Sequence, residues 1–159
     1  MPPTATPDTL APAEADAAPM QWSDAYLLGY GPMDALHEEF VTLVHQLQTA
    51  PDADLPGLLD AFAEHAQRHF SEEEAWMEET DFPARGCHAD EHAAVMKSVL
   101  EVREVLAQGR SDVCRSLAQA LANWFPGHAD YLDSALSHWM CKRRLGGKPV
   151  VIRRNLQKS

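Results

Sequence analysis

Apolar residues recur along this chain at spacings of three and four, the period of helices that bury one face. The first stripe is Met33, Leu36, His37, Phe40, Val41, Val44 and Leu47. It predicts a helix that starts near Pro32, a residue tolerated in a first turn, and stops before Pro51. The second runs from about Asp54 to Glu79 through Leu59, Phe62, Ala66, His69, Glu73 and Trp76. Pro83 and Gly86 break it. The third begins at Ala84 or Cys87 and reaches Ala107, with His88, His92, Val95, Val99, Val102 and Leu106 inward. Gly109 is a suitable stop and Ser111 an N-cap for the next helix. The fourth spans roughly Ser111 to Arg143, with Leu117, Leu121, Trp124, His128, Leu132 and Trp139 inward. Pro126 interrupts it, deletes one backbone hydrogen bond and predicts a kink. No segment alternates as a strand does. The fold class is therefore all-α: four helices with short connections form an antiparallel up-down-up-down bundle.

The flanks differ in character. Residues 1–20 are rich in Ala, Pro, Thr and Asp and are expected to form a disordered tail. Gln21–Tyr30 carries Trp22, Tyr26, Leu27, Leu28 and Tyr30, which suits an extended arm laid against the bundle, or a short capping helix. The bundle then occupies residues 21–145, and 146–159 form a basic tail.

Charge narrows the function. The net charge is −11, which argues against nucleic acid, a ligand held mainly by Lys and Arg on phosphates. All 24 acids lie within residues 1–141, whereas 7 of the 13 bases fall after that point. The basic end invites an acidic protein partner, self-association, or a fold back onto the acidic bundle. Three cysteines, Cys87, Cys114 and Cys141, are too few and too odd for a disulfide framework and read as reduced thiols. With no signal-peptide pattern and no apolar run of transmembrane length, no membrane is expected and the cytoplasm is the default compartment.

The chemistry lies in polar residues placed on apolar stripes. Helix one contributes His37. Helix two contributes His69 and Glu73, four apart and so on one face. Helix three contributes His88 and His92, also four apart. Helix four contributes His128 and Asp133, five apart. On a straight helix, at about 100° per residue, that last pair lies ~140° apart, so Asp133 needs a long reach or help from a kink. Polar groups in an apolar core are costly unless paired or bound to metal. All seven donors are N or O, more than one tetrahedral zinc uses. Two irons bridged by carboxylates would use them well. Taken singly, each pair is weak; the force comes from one element per helix at matching depth. His45, His65 and His138 are left out of the donor set, with His65, one turn before His69, the nearest to it. Glu72, Glu74, Glu78, Glu79 and Asp81 read as a solvated face. Cys87, a sequence neighbour of His88, points away from it and is not expected to bind metal.

In these motifs the chain resembles the hemerythrins, most closely the bacterial ones. The likeness covers about Trp22 to Asp133. It rests on Met33-Asp34-x-x-His37-x-x-Phe40, His69-Phe70-x-x-Glu73-Glu74-x-x-Met77, Phe82-Pro83, His88-x-x-x-His92 and Trp124-x-x-x-His128-x-x-x-x-Asp133. The resemblance implies a non-haem di-iron centre of two iron ions. His88, His92 and His128 would hold one ion and His37 and His69 the other, which keeps an open position. Glu73 and Asp133 would bridge both, along with a solvent oxygen. It also implies reversible dioxygen binding, for storage, delivery or sensing, in a dry pocket for which Phe70, Trp76, Met77 and Trp124 are candidate walls. No enzyme activity is expected. The alternatives are a di-iron oxidoreductase acting on peroxide or nitric oxide, and iron storage or repair. Three features depart from the family pattern: Pro126-Gly127 just before His128, the small Ala129 after it, and the long basic end.

Overall fold

A computed structural model describes residues 18–145 and 151. Of the expected disordered tail over 1–20, residues 1–17 lie outside the described residues, as do 146–150 and 152–159 of the basic tail. Four helices pack in a ring, each against its two neighbours. Helix α1 spans Gly31–Thr49 and buries the seven residues of its predicted stripe. Before it, Asp34 accepts the backbone N–H groups of Leu28 and Gly29 at 2.8 and 3.1 Å. Gly29 takes φ 97°, where a side chain would be strained. Pro51 ends the helix, and Arg115 of the fourth helix donates to the carbonyls of Leu47 and Ala50.

Helix α2 is Leu55–Glu79 and α3 is Arg85–Ala107. Gly109, at φ 95°, turns the chain into α4, Ser111–His128. Ser111 does not cap α4 as expected. It is the first residue of the helix, and its hydroxyl donates to Asp52 instead.

The fourth helix departs most from expectation. Pro126 lies inside α4, and the helix does not end there. The chain continues as a π-helical turn over Ala129–Asp133 and then as α5, Ser134–Met140, followed by a second π turn over Cys141–Leu145. A π turn closes i→i+5 and so contains one extra residue. The bond that marks it is the Ser134 N–H to the Ala129 carbonyl. The extra residue moves the inner stripe by one position. Leu132 and Trp139, expected inward, are only half-buried, and Asp133 and Met140 take their places.

The arm lies against the bundle as expected, with a 3₁₀ turn at Asp24–Tyr26. Met20 is buried; its N–H donates to Gln48 and its carbonyl accepts His45 Nδ1–H at 2.9 Å. Trp22 stacks on Tyr26, which meets Phe125. At the other end, Arg144 pairs with Glu79 and donates to the Tyr30 hydroxyl. The three cysteines are unpaired. No helix among the described residues is long and apolar enough to cross a membrane.

The apolar core is split in two. The larger part includes Phe40, Phe62, Phe70, Leu121 and Phe125; the smaller includes Met33, Trp76, Leu136 and Met140. His37, Glu73 and Asp133 each fall in sequence between a residue of one part and a residue of the other. A polar layer thus divides the bundle at one depth.

Candidate metal centre

Seven side chains make up that layer: His37, His69, Glu73, His88, His92, His128 and Asp133, all buried. Four helical segments deliver them to one place. The two carboxylates lie between the histidines and divide them into two sets. Glu73 turns Oε1 to His92 Nε2 and His88 Nε2, at 3.2 and 3.5 Å. Its other oxygen, Oε2, faces His69 Nε2 and His37 Nε2 at 2.9 and 3.4 Å. Asp133 does the same: Oδ1 meets His88 and His128 at 2.8 and 3.3 Å, and Oδ2 meets His37 at 2.9 Å. One side holds three imidazoles and the other two.

The π turn is what places Asp133. On a regular helix it would sit well round from His128; an i→i+5 turn brings residues five apart nearly one above the other.

The electrostatics are those of a tightly coupled cluster. Burial opposes the charge on His37, but Asp133 and Glu73 outweigh it and raise its pKa to about 9. Burial likewise opposes charge on His128, and Asp133 and Glu91 raise it to about 10. Burial also disfavours ionised Glu73 and Asp133, yet the surrounding imidazoles hold both well below the usual carboxylate range.

The histidines are oriented from outside. His92 Nδ1 lies 2.9 Å from Glu74, and His128 Nδ1 lies 2.8 Å from Glu91. An ionised carboxylate only accepts, so each Nδ1 carries the proton and each Nε2 faces inward. The His128 contact holds Glu91 itself below its ordinary pKa. His69 Nδ1 meets His65 Nε2 at 3.1 Å. His65 is buried, and burial together with His69 lowers its pKa to about 4. Sequence reasoning singled out His65 as the histidine nearest the donor set but missed Glu74 and Glu91. Glu74, expected on a solvated face, is half-exposed and its carboxylate reaches across to His92 on α3. Glu91 gave no periodic signal, since it lies one residue from His92 and points to α4. His45 and His138 stand apart: His45 ties down the arm, and His138 is exposed.

Aromatic rings enclose the layer. Phe70 stacks on His92 at 4.0 Å and Trp124 on His128 at 4.3 Å. Phe125 meets His37 edge-on at 5.0 Å, a contact not foreseen from the inner stripe.

These residues fit a metal. Two groups have donor atoms close enough to converge on an ion: Glu73, His88, His92, His128 and Asp133, and then His37, His69 and Glu73. Buried polar atoms without a hydrogen bond gather here, among them Nε2 of His37, His88, His92 and His128, Oε1 of Glu73 and both oxygens of Asp133. Such atoms are rare in folded proteins, and a shared cation would satisfy them together. A family model described as "Hemerythrin HHE cation binding domain" matches residues 28–137. The chain belongs to the hemerythrin family. It is 41% identical over 124 residues to a protein named Bacteriohemerythrin from Ralstonia nicotianae, covering 78% of this chain and 90% of that one. A second Bacteriohemerythrin, from Stenotrophomonas maltophilia, is 25% identical over 138 residues, 79% of this chain and 90% of the other. A third, from Aquifex aeolicus, is 31% identical over 108 residues, with 64% and 82% covered. The hemerythrin match takes in all seven residues of the layer and stops just short of the end of α5.

Proposed function

We propose that the chain binds dioxygen reversibly at two iron ions, as a binding protein rather than an enzyme. His88, His92 and His128 would hold one ion, His37 and His69 the other, and Glu73 and Asp133 both. The observation that carries this reading is the division of each carboxylate, one oxygen to each set of histidines. A carboxylate that served a single ion would have no reason to face both ways. Imidazole and carboxylate donors suit iron, and the set is too large for one tetrahedral ion.

A ferrous pair, when bound, supplies the electrons that let dioxygen bind. The rest is the work of this chain. The two-histidine side is one protein donor short of its neighbour, which leaves room for a small ligand there. Phe125, edge-on to His37, and Phe40, 6.0 Å from His69, line that side with apolar surface. A dry wall slows proton delivery and loss of charged oxygen species, the route by which a carrier becomes inert. Outer bonds to Glu74 and Glu91 fix His92 and His128 on the three-histidine side.

The test is a visible absorption spectrum of anaerobically reduced, iron-loaded protein, recorded before oxygen, after oxygen and after argon purging. A coloured band that arrives with oxygen and leaves with argon is expected. Direct passage to a stable diferric spectrum would refute reversible binding. Sustained consumption of peroxide or nitric oxide with an electron donor would favour an oxidoreductase instead.

A further inference from the structure

Three seams of the bundle carry an outer hydrogen bond to the polar layer, and one of them is built differently. At the α2–α3 seam, Glu74 reaches His92 directly; at the α3–α4 seam, Glu91 reaches His128 directly. At the α1–α2 seam the carboxylate is Glu39, and it reaches His65, not His69. His65 then spans the gap to His69 at 3.1 Å. We propose that His65 is a positioning residue that selects the metal-binding form of His69, acting as the middle link of a Glu39–His65–His69 chain. The proposal rests on the reading of His69 as a ligand.

The polarity of the chain follows from its outer end. Arg68 Nη2 donates to Glu39 Oε1 at 3.3 Å and holds that carboxylate in place. As a carboxylate Glu39 accepts, and its Oε1 lies 3.2 Å from His65 Nδ1, closer than the 3.5 Å of Arg68 Nη2, so the proton of His65 sits on Nδ1. His65 Nε2 is then an acceptor, and the hydrogen on His69 must lie on Nδ1 to meet it. That leaves the Nε2 lone pair of His69 directed at the layer, 2.9 Å from Glu73 Oε2. The opposite tautomer would turn an N–H inward and block the site. Glu39, His65 and Arg68 line a surface groove of about 530 Å³ between α1 and α2, so the chain links a solvated rim to a buried donor. Outer partners of metal-bound histidines typically change metal affinity about 10–100-fold.

The experiment is an anaerobic ferrous titration of metal-free protein against a competing chelator. The unsubstituted chain, His65→Leu, His65→Gln and Glu39→Gln are compared, with far-UV circular dichroism of each metal-free form as a control. In His65→Leu one of the two ions should weaken by about 10–100-fold while the other stays within about threefold. His65→Gln, whose amide oxygen can accept from His69, should recover most of the loss. Glu39→Gln, at an exposed position, should weaken the same ion by a smaller factor, and it keeps the test open if His65→Leu fails to fold. Unchanged affinity in Glu39→Gln and in a folded His65→Leu would overturn the proposal, as would equal loss of both ions or no recovery in His65→Gln. An unsubstituted chain that binds fewer than two ions would instead overturn the di-iron reading, and this inference with it.

Discussion

Deleting Tyr131 should leave the polar layer intact, although it removes a residue between two of its members. Tyr131 lies in the π turn and is 80% exposed, so its side chain contributes little packing. Without it, Asp133 follows His128 at a spacing of four. Four residues of α-helix span about 400°, so the two side chains end ~40° apart on one face. Leu136, Ser137 and Met140 also move back one position, where a straight α-helix would bury them. The deletion thus exchanges a wide turn for a regular one and keeps every inward contact. Metal content should remain two ions per chain. The control is one alanine inserted after Tyr131. It would turn α5 by about 100° and carry Leu136 and Met140, both fully buried, out of the core. At roughly 1.5–3 kcal/mol for each side chain, about 3–6 kcal/mol would be lost, or about 6–24 °C in Tm. Iron analysis and thermal scans of both variants provide the assay. If the deletion lost its metal while still folding, or if the insertion matched the parent in both measurements, the π turn would not be what sets the register of Asp133.

Glu73→Ala should lower metal content at both sets of histidines, because each Glu73 oxygen serves one of them; iron analysis showing two tightly held ions would contradict the bridging role. His45→Ala should leave metal content unchanged but free the arm, since it removes the bond to the Met20 carbonyl. One such bond is worth about 1 kcal/mol, so Tm should fall by roughly 2–4 °C. Metal uptake at pH 7 should release at least two protons, because His37 and His128, raised to about 9 and 10, are charged in the metal-free chain and must be neutral to bind, and His88 is raised too, by Asp133 and Glu73 against burial. Calorimetry in buffers of different ionisation enthalpy would count them. The same shifts set a stability trend. A raised folded pKa stabilises the metal-free chain below the ordinary value near 6.5, and this is lost as pH rises through 9–10. Thermal scans should therefore show the metal-free form weakening over that window. A Tm flat from pH 6.5 to 10 would show that the two histidines are not charged there.

The first three helices were legible because their stripes are regular and their breaks are chemical: Pro51, Pro83 and Gly109 stand where the chain turns. The polar layer was legible for the same reason. Its donors fell on or beside those stripes at one depth, and so many polar groups in an apolar core are too costly to bury unless a cation binds them. The fourth helix was legible only as far as Pro126. A straight α-helix puts Leu132 and Trp139 inward and leaves Asp133 ~140° from His128. One extra residue in one turn corrects all three at once, and no periodicity within the sequence announces it. The outer partners were hidden for a different reason. Glu74 and Glu91 lie one residue from Glu73 and His92, off the stripe, where sequence alone suggests solvent. Their roles depend on which helices are neighbours, a fact that belongs to the ring and not to any one helix.

That ring also explains why the layer can exist in an apolar core. Each outer bond joins two helices: Glu39 of α1 to His65 of α2, Glu74 of α2 to His92 of α3, and Glu91 of α3 to His128 of α4. The acceptors are half-exposed, so each bond contributes modestly to stability; its larger effect is to fix which nitrogen faces inward. Three seams are tied in this way. At the fourth, between α1 and α4, contact is made within the layer by Asp133 on His37, while His37 Nδ1 has no hydrogen-bond partner. Phe125 covers that face instead. The bundle is thus held by direct polar clips at His92 and His128, by a relayed clip through His65 at His69, and by an aromatic ring beside His37. A site meant to hold two ions equally would be clipped all round. A site that must hold one ion firmly and leave the other able to take a small ligand needs the asymmetry seen at this fourth seam.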